Sequence, residues 1–346
     1  AGTHGKTTTS TLLAHLMTVA SDGCTAFLGG ISQNYNSNLL LSKSSWMVAE
    51  ADEYDRSCLR LYPHIAIVTA ADADHLDIYG TEKDMKKSFG DFVSQIDPDG
   101  VLILKKGTDI PLSKLKCKTY SYSYNSKEAD FYAFNIELNR GFHKFDIHTP
   151  EGTIDSCTLG LPGWVNIENA VAAVAASILA GADRGLIRNG LKTFSGVKRR
   201  FDLRVNMPGC AYIDDYAHHP EELRAAITSV RQMFPGRKIT GIFQPHLYTR
   251  TRDFAVEFAE SLGLLDELIL LDIYPARELP IEGVTSEIIF DRVRIENKTM
   301  CSREKLMNVL ASKDINVLIT MGAGDIDRFV EPITKLLTNR EPQSKT

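Results

Sequence analysis

The chain opens on Ala1-Gly2-Thr3-His4-Gly5-Lys6-Thr7-Thr8, and this octet limits the fold more than any other stretch of the 346 residues. Glycines let backbone N–H groups converge on phosphate oxygens, and a helix that follows adds a favourable dipole. The next residues predict that helix over 8–20, because Leu12, Leu13, Leu16, Met17 and Ala20 share one face before Ser21-Asp22-Gly23. Lys6 offers a point charge for outer phosphates, and the Thr7 hydroxyl suits Mg²⁺. A loop of this kind needs an apolar strand ahead of it, and the generic pattern wants a glycine five positions before Gly5, off the start of the sequence. A bare Gly-Lys-Thr is common, so the octet alone also fits a glycine-rich helix start with a solvated lysine.

Composition narrows the class. Hydrophobic residues make up 43% and charged residues 24%, with a net charge of -5, which fits a soluble globular protein of about two domains. Mixed charge and recurring apolar residues exclude disorder as the main state. Apolar runs such as 268–271 fall far short of the ~20 residues a membrane span needs. No basic stripe is present, so neither nucleic acid nor membrane is an expected partner. Cys24, Cys58, Cys117, Cys157, Cys210 and Cys301 stand far apart, which reads as reduced thiols. With no signal peptide in view, the expected location is the cytoplasm.

Short apolar runs at 46–49, 65–69 and 101–104 alternate with helical spacing at 82–96. That alternation predicts an α/β fold with a mostly parallel sheet. Residues 130–148 switch to a period of two around Arg140-Gly141, predicting an added antiparallel hairpin. Helices follow at 166–182 and 186–194. A second α/β cycle begins after 195–200, with strands at 211–213, 238–243, 267–272 and 317–321. Its helices are expected at 220–234, 253–262, 305–311 and 326–337. The expected domains are 1–196, a phosphate-loop ATPase-like unit, and 197–346, a smaller Rossmann-like unit.

Polar residues just past strand ends mark ligand sites in such sheets. Glu50 closes one run and suits the Mg²⁺ shell beside Thr7, although Asp52, Glu53 and Asp55 also fit a solvated acidic loop. His75 stands among Asp72, Asp74 and Asp77, which suits a second metal site or its outer shell. In the second unit, Asp214-Asp215-Tyr216-Ala217-His218-His219-Pro220 joins a strand end to a helix start. Neighbouring histidines seldom point together, so substrate hydrogen bonding is favoured there over metal. Gln244 to Arg252 follows the next strand and marks the same kind of cleft.

Together these blocks resemble the Mur ligase family. The matching stretches are 1–9, 49–55, 73–79, 162–170, 199–202, 214–220, 243–253 and 274–286, in the family's order from end to end. Family members have an N-terminal UDP-binding domain, a central ATPase and a C-terminal Rossmann-like domain, and this chain resembles the last two. The resemblance implies an ATP-dependent ligase in peptidoglycan precursor synthesis. It would join L-alanine to the lactyl carboxylate of UDP-N-acetylmuramate through an acyl phosphate, as a monomer or weak homodimer. A tripeptide ligase on the same sugar, or a nucleotide-binding fragment inactive without the first domain, are the alternatives.

By position, the resemblance implies that Gly2, Thr3, His4, Gly5, Lys6, Thr7 and Thr8 hold the ATP phosphates. It puts Asn166 and Asn169 at adenine, Asp215 at ribose and Arg200 at a phosphate. Thr7 with Glu50 would hold one Mg²⁺ and His75 a second. His218, His246 and Arg250 would line the carboxylate and amino-acid site, with Lys6, His218 and Arg250 as the catalytic set. Asn34, Asn36 and Asn38 lie where the UDP-sugar is contacted. Four positions depart from the common pattern: Ala70 for asparagine, Val165 for histidine, Leu247 for arginine, and Gly90 where some relatives carry a carbamylated lysine.

Overall fold

Helix α1 (Lys6–Ala20) begins at Gly5, whose φ of 78° is the left-handed conformation that turns the loop sharply into the helix. Leu12, Leu16, Met17 and Ala20 are buried along its length, the face the spacing predicts. The computed structural model describes residues 1–72, 79, 81–139 and 142–339. The chain divides into two units, Ala1–Lys198 and Arg199–Thr346.

In the first unit, β1 (Thr25–Ser32), β2 (Ser37–Leu40) and β3 (Met47–Ala49) form a sheet ordered β2-β1-β3. Strand β1 is antiparallel to β2 and parallel to β3. A second sheet runs in chain order through β4 (Ile65–Val68), β5 (Val101–Lys105), β6 (Lys118–Ser123), β7 (Phe131–Asn139), β8 (Phe142–Thr149) and β9 (Gly152–Thr158). Pairs from β4 to β7 are parallel; β7-β8 and β8-β9 are antiparallel. The expected hairpin is therefore present and carries a third strand; its turn at 140–141 lies outside the described residues. Spacing alone does not mark β1, β2 or β6, because Gly29-Gly30 and the polar residues of 33–38 and 118–123 dilute the period of two.

Between β4 and β5 lies α2 (Glu82–Val93), started by Thr81, whose hydroxyl accepts the Asp84 N–H. Two helices close the unit, α3 (Trp164–Leu179) and α4 (Arg184–Thr193). Ala170, Ala172, Ala173 and Ala175 in α3 are fully buried, so this helix sits where only small side chains fit.

The second unit places β10 (Asp202–Met207), β11 (Cys210–Asp215), β12 (Ile239–Phe243), β13 (Glu267–Leu270), β14 (Lys298–Met300) and β15 (Val317–Met321) in the order β10-β11-β15-β12-β13-β14. Every neighbouring pair is parallel except β10-β11. All residues of β12, β13 and β15 are buried, as in a parallel sheet covered on both faces. The covering helices are α5 (Pro220–Met233), α6 (Tyr248–Asp253), α7 (Ala255–Leu262), α8 (Glu287–Phe290), α9 (Leu306–Ala311) and α10 (Val330–Thr338). Pro220 occupies the first turn of α5, where its missing N–H costs nothing. The helix expected at 253–262 is α7, which starts at Ala255, and a separate short helix, α6, precedes it across Phe254. No described helix is long and apolar enough to cross a membrane.

Tight packing of α3 generates a test. Ala173→Leu should cost about 1–3 kcal/mol by overpacking, read as a lower urea midpoint with an unchanged slope; a midpoint equal to the parent's would refute the packing.

Candidate active site

The opening loop is built by close backbone approach. A side chain at Gly2 would place its Cβ 2.3 Å from Thr69 Oγ1 and 2.8 Å from the Ala70 nitrogen. Thr69, just past β4, donates its N–H to the Ala1 carbonyl at 3.0 Å and its hydroxyl to the His4 carbonyl. Thr3 donates its N–H to the Ala70 carbonyl at 3.2 Å, so Ala70 serves the loop through its backbone. On the other side, a Cβ at Gly5 would come within 2.6 Å of Asn169 Oδ1. Asn169 accepts from the Thr9 hydroxyl at 3.3 Å and donates to Asn166 Oδ1 at 3.4 Å, while Asn166 donates to the Pro162 carbonyl at 2.6 Å. The two asparagines are buried in α3 and brace the loop from behind.

Lys6 Nζ bends back over the loop. It donates to the Gly2 carbonyl at 2.8 Å and to Glu53 Oε1 at 2.7 Å. Glu53 is 1% exposed, and its own carbonyl accepts the Tyr79 hydroxyl at 2.5 Å. Among four nearby acids, sequence reasoning did not single out Glu53. It immediately precedes the 3-10 turn Tyr54–Arg60, which no pattern announced.

Glu50 gathers three donors. Its Oε1 accepts from Thr7 Oγ1 at 3.0 Å, and its Oε2 accepts from the Gly29 N–H at 3.0 Å and Ser10 Oγ at 3.4 Å. A Cβ at Gly29 would lie 2.3 Å from Glu50 Oε2, so this glycine makes room for the carboxylate. Ser10 and Gly29 were missed because their partner is forty residues away or on another strand. The hydroxyl of Thr7 and the carboxylate of Glu50 are hard oxygen donors beside a phosphate loop, a set that fits Mg²⁺ with the remaining ligands from phosphate and water. Among the described residues no cluster of three His, Cys, Asp or Glu forms a closed metal cage. His75, Asp74 and Asp77 lie outside the described residues. Asn36, at φ 50° in the turn from β1 to β2, accepts from Lys198 Nζ at 2.9 Å, and Asn34 bonds Thr193 and Ser195.

In the second unit, β11, β15 and β12 are neighbours, so their C-terminal ends bring Asp215, Gly322 and Gln244 to one edge. Asp215 accepts the N–H groups of Phe201 and Ala217, both at 2.7 Å, and burial pushes its carboxyl up to about 7 against those two donors. Arg200 lies 4.7 Å from the Tyr216 ring centre and Arg199 5.3 Å from it. Arg199 is held by Asp214 at 3.3 Å and by the Gly322 carbonyl at 2.6 Å, which ties the start of the unit to its sheet. Glu222 accepts the N–H groups of His218 and His219 at 3.0 and 3.2 Å and so fixes the turn into α5. The His218 ring meets His246 edge-on at 5.8 Å, and His246 stacks on Tyr274 at 5.9 Å. Arg250 is buried at 8% exposure in α6. Leu247 is buried as well, at a φ of 72° that a leucine rarely adopts.

Burial, with His218, Arg250 and Arg277 nearby, pushes His246 down to about 3. It is a neutral imidazole at pH 7, able to share a hydrogen bond but adding no charge.

Two tests follow from these pairs. Removing one partner of a buried ion pair costs about 3–5 kcal/mol, so Lys6→Ala should destabilise the chain by that order, and Lys6→Ala with Glu53→Ala should recover part of it in urea unfolding. Strict additivity of the two would refute the pair. A histidine lowered from 6.5 to about 3 contributes stability that is present above pH 6.5 and lost as pH falls toward 3. Asp215, raised from 3.8 to about 7, has the opposite sign over pH 3.8–7. The check is therefore a difference: between pH 7 and pH 4.5 the parent should lose more Tm than His246→Gln, and equal losses would refute a depressed His246.

Known proteins match most of the chain. Residues 1–177 match the Mur ligase middle domain, and residues 199–324 match the Mur ligase glutamate ligase domain. The UDP-N-acetylmuramate–L-alanine ligase of Parabacteroides distasonis is 54% identical over 339 residues, covering 97% of this chain and 73% of that protein. The ligase of the same name from Phocaeicola vulgatus is 52% identical over 344 residues, covering 98% and 74%. The crystal structure of UDP-N-acetylmuramate–alanine ligase from Thermotoga maritima superposes with a TM-score of 0.79 at 26% identity, covering 96% of this chain and 74% of that one.

Proposed function

The chain belongs to the Mur ligase family, and from that premise we propose how its residues divide the work of an ATP-dependent L-alanine ligase. The reaction forms an amide between L-alanine and the lactyl carboxylate of UDP-N-acetylmuramate, a step in making peptidoglycan precursors. A carboxylate oxygen attacks the γ-phosphorus, ADP leaves, and an acyl phosphate forms. The alanine amine then attacks the carbonyl carbon, and inorganic phosphate leaves with the amine having lost a proton. Oxide is a poor leaving group from a carboxylate and phosphate a good one, which is why ATP is consumed.

The observation that carries this reading is the opening loop with Lys6 and the Thr7–Glu50 oxygen pair. An anionic carboxylate must approach an anionic triphosphate, and fixed positive charge lowers that barrier. Lys6 leaves Glu53 for the outer phosphates, and the loop N–H groups from Gly2 to Thr8 bind phosphate oxygens. A magnesium ion at Thr7 and Glu50 would neutralise charge on those oxygens; His75 is the proposed ligand of a second. Asn169 holds the loop in shape, and Asn166 beside it is the proposed adenine contact. In the second unit Asp215 binds ribose and Arg200 a phosphate. His218, His246 and Arg250 bind the carboxylate and the amino acid, with His246 as an uncharged partner, and Asn36 is the proposed UDP-sugar contact. The proposed location is cytoplasmic, as a monomer or weak dimer without nucleic-acid partners.

The test is direct. The protein with ATP, Mg²⁺, UDP-N-acetylmuramate and L-alanine should yield the amide, seen by mass spectrometry, with one ADP per product. EDTA should stop it, and Lys6→Ala should lower kcat/KM by about 10²–10³-fold. ADP release stimulated by a murein tripeptide but not by L-alanine would assign the other ligase activity, and ATP binding without product would reduce the chain to a nucleotide-binding module.

A further inference from the structure

Past the ends of β12 and β13 the two chains stay side by side. Leu271 donates its N–H to the Phe243 carbonyl at 2.9 Å, Tyr274 to the Pro245 carbonyl at 2.8 Å, and Leu247 to the Tyr274 carbonyl at 3.0 Å. His246 and Tyr274 pair in parallel there, and their rings stack with 17° between the planes. Pro275 then opens a tight turn, closed by the Glu278 N–H on the Pro275 carbonyl at 2.9 Å. Ala276 takes a φ of 48° within it, a left-handed value that an alanine rarely adopts. Glu278 commits both carboxylate oxygens to Thr249, one to its N–H at 3.0 Å and the other to its hydroxyl. A strained turn persists only where its surroundings hold it. Here Tyr274 holds one end against His246 and Glu278 holds the other against Thr249, with Arg277 between them.

Charge at this place is one-sided. Arg250, Arg277 and His218 all act on the His246 ring, and among the described groups acting on it none is an acid. The acids close by in the chain are engaged with backbone: Glu278 on the Thr249 N–H, and Glu222 on those of His218 and His219. Leu247, where the commoner pattern carries arginine, is buried and apolar, so that position adds no cation. Arg277 brings a guanidinium to the same stretch from the neighbouring chain.

We propose that Arg277 is a second guanidinium, beside Arg250, that binds the carboxylate of L-alanine. The assignment rests on the ligase reading above. A planar guanidinium donates two parallel N–H bonds to a carboxylate and keeps its charge at any working pH. Of the two substrate carboxylates, the lactyl group is consumed into the acyl phosphate and then the amide. The carboxylate of alanine stays an anion from binding to product, so fixed cations suit it throughout. The turn from Pro275 to Glu278 sets the place of that cation before the substrate arrives, which lowers the cost of ordering it.

The test is steady-state kinetics of the full chain with each substrate varied in turn. Arg277 is exposed, so Arg277→Ala should fold with the Tm of the parent. Its KM for L-alanine should rise about tenfold or more, the worth of a hydrogen bond to a charged group. Its kcat and its KM values for ATP and UDP-N-acetylmuramate should stay near the parent's. Arg277→Lys should fall between the two, keeping the charge without the fork. L-Alaninamide, which lacks the anion, is the second probe: the preference for L-alanine over it should shrink in Arg277→Ala by the same factor. An unchanged KM for L-alanine, a rise confined to UDP-N-acetylmuramate, or an undiminished preference over L-alaninamide would overturn the assignment. Absence of amide product with the parent protein would overturn the ligase reading itself, and this assignment with it.

Discussion

The loop backbone passes so close to the backbone of Thr69 and Ala70 on one side that Gly2 has no room for a side chain, and on the other side, beside Asn169, Gly5 holds a left-handed φ of 78° that favours glycine. That double clamp fixes where the N–H groups of the loop point, and it fixes the start of α1. With the loop set, Thr7 reaches Glu50 and Lys6 reaches Glu53. The chemistry of the unit is thus a consequence of steric closeness, not of any one strong bond. Each hydrogen bond in the clamp contributes on the order of 1 kcal/mol net, while the shape they enforce has no alternative once the side chains are removed.

The lysine–glutamate pair adds a second layer. The Lys6 ammonium at the start of α1 is held in place by a buried carboxylate, Glu53. A buried pair of this kind adds little to stability compared with a well-packed apolar pair. Its value lies in placing the charge. Asp215 and His246 in the second unit show the same logic with opposite outcomes: burial raises the acid and depresses the base, so both drift toward neutrality where solvent is excluded.

Much of this was legible from residue order. The meeting of Thr7 with Glu50 was readable because a glycine-rich turn into a helix and an acid at a strand end are local patterns. The strands of the second unit were readable because parallel strands covered on both faces become continuous apolar runs, as at 239–243 and 317–321. Thr69, Glu53, Ser10 and Gly29 were not, because each acts on a partner from another element: Thr69 on the carbonyls of Ala1 and His4, and Gly29 through the space it leaves for Glu50. Strands β1 and β2 hid behind glycines and asparagines that serve the turn between them.

Sequence by itself determined the class of fold and the alternation of helix and strand, since both rest on neighbours within a few residues. Tertiary structure alone decided which of the four acids after β3 meets Lys6 and which asparagine touches the loop. Those outcomes depend on contacts between residues forty to one hundred and sixty positions apart. Packing chooses among them by volume and by the cost of burying an unpartnered charge, and neither quantity is written in local order.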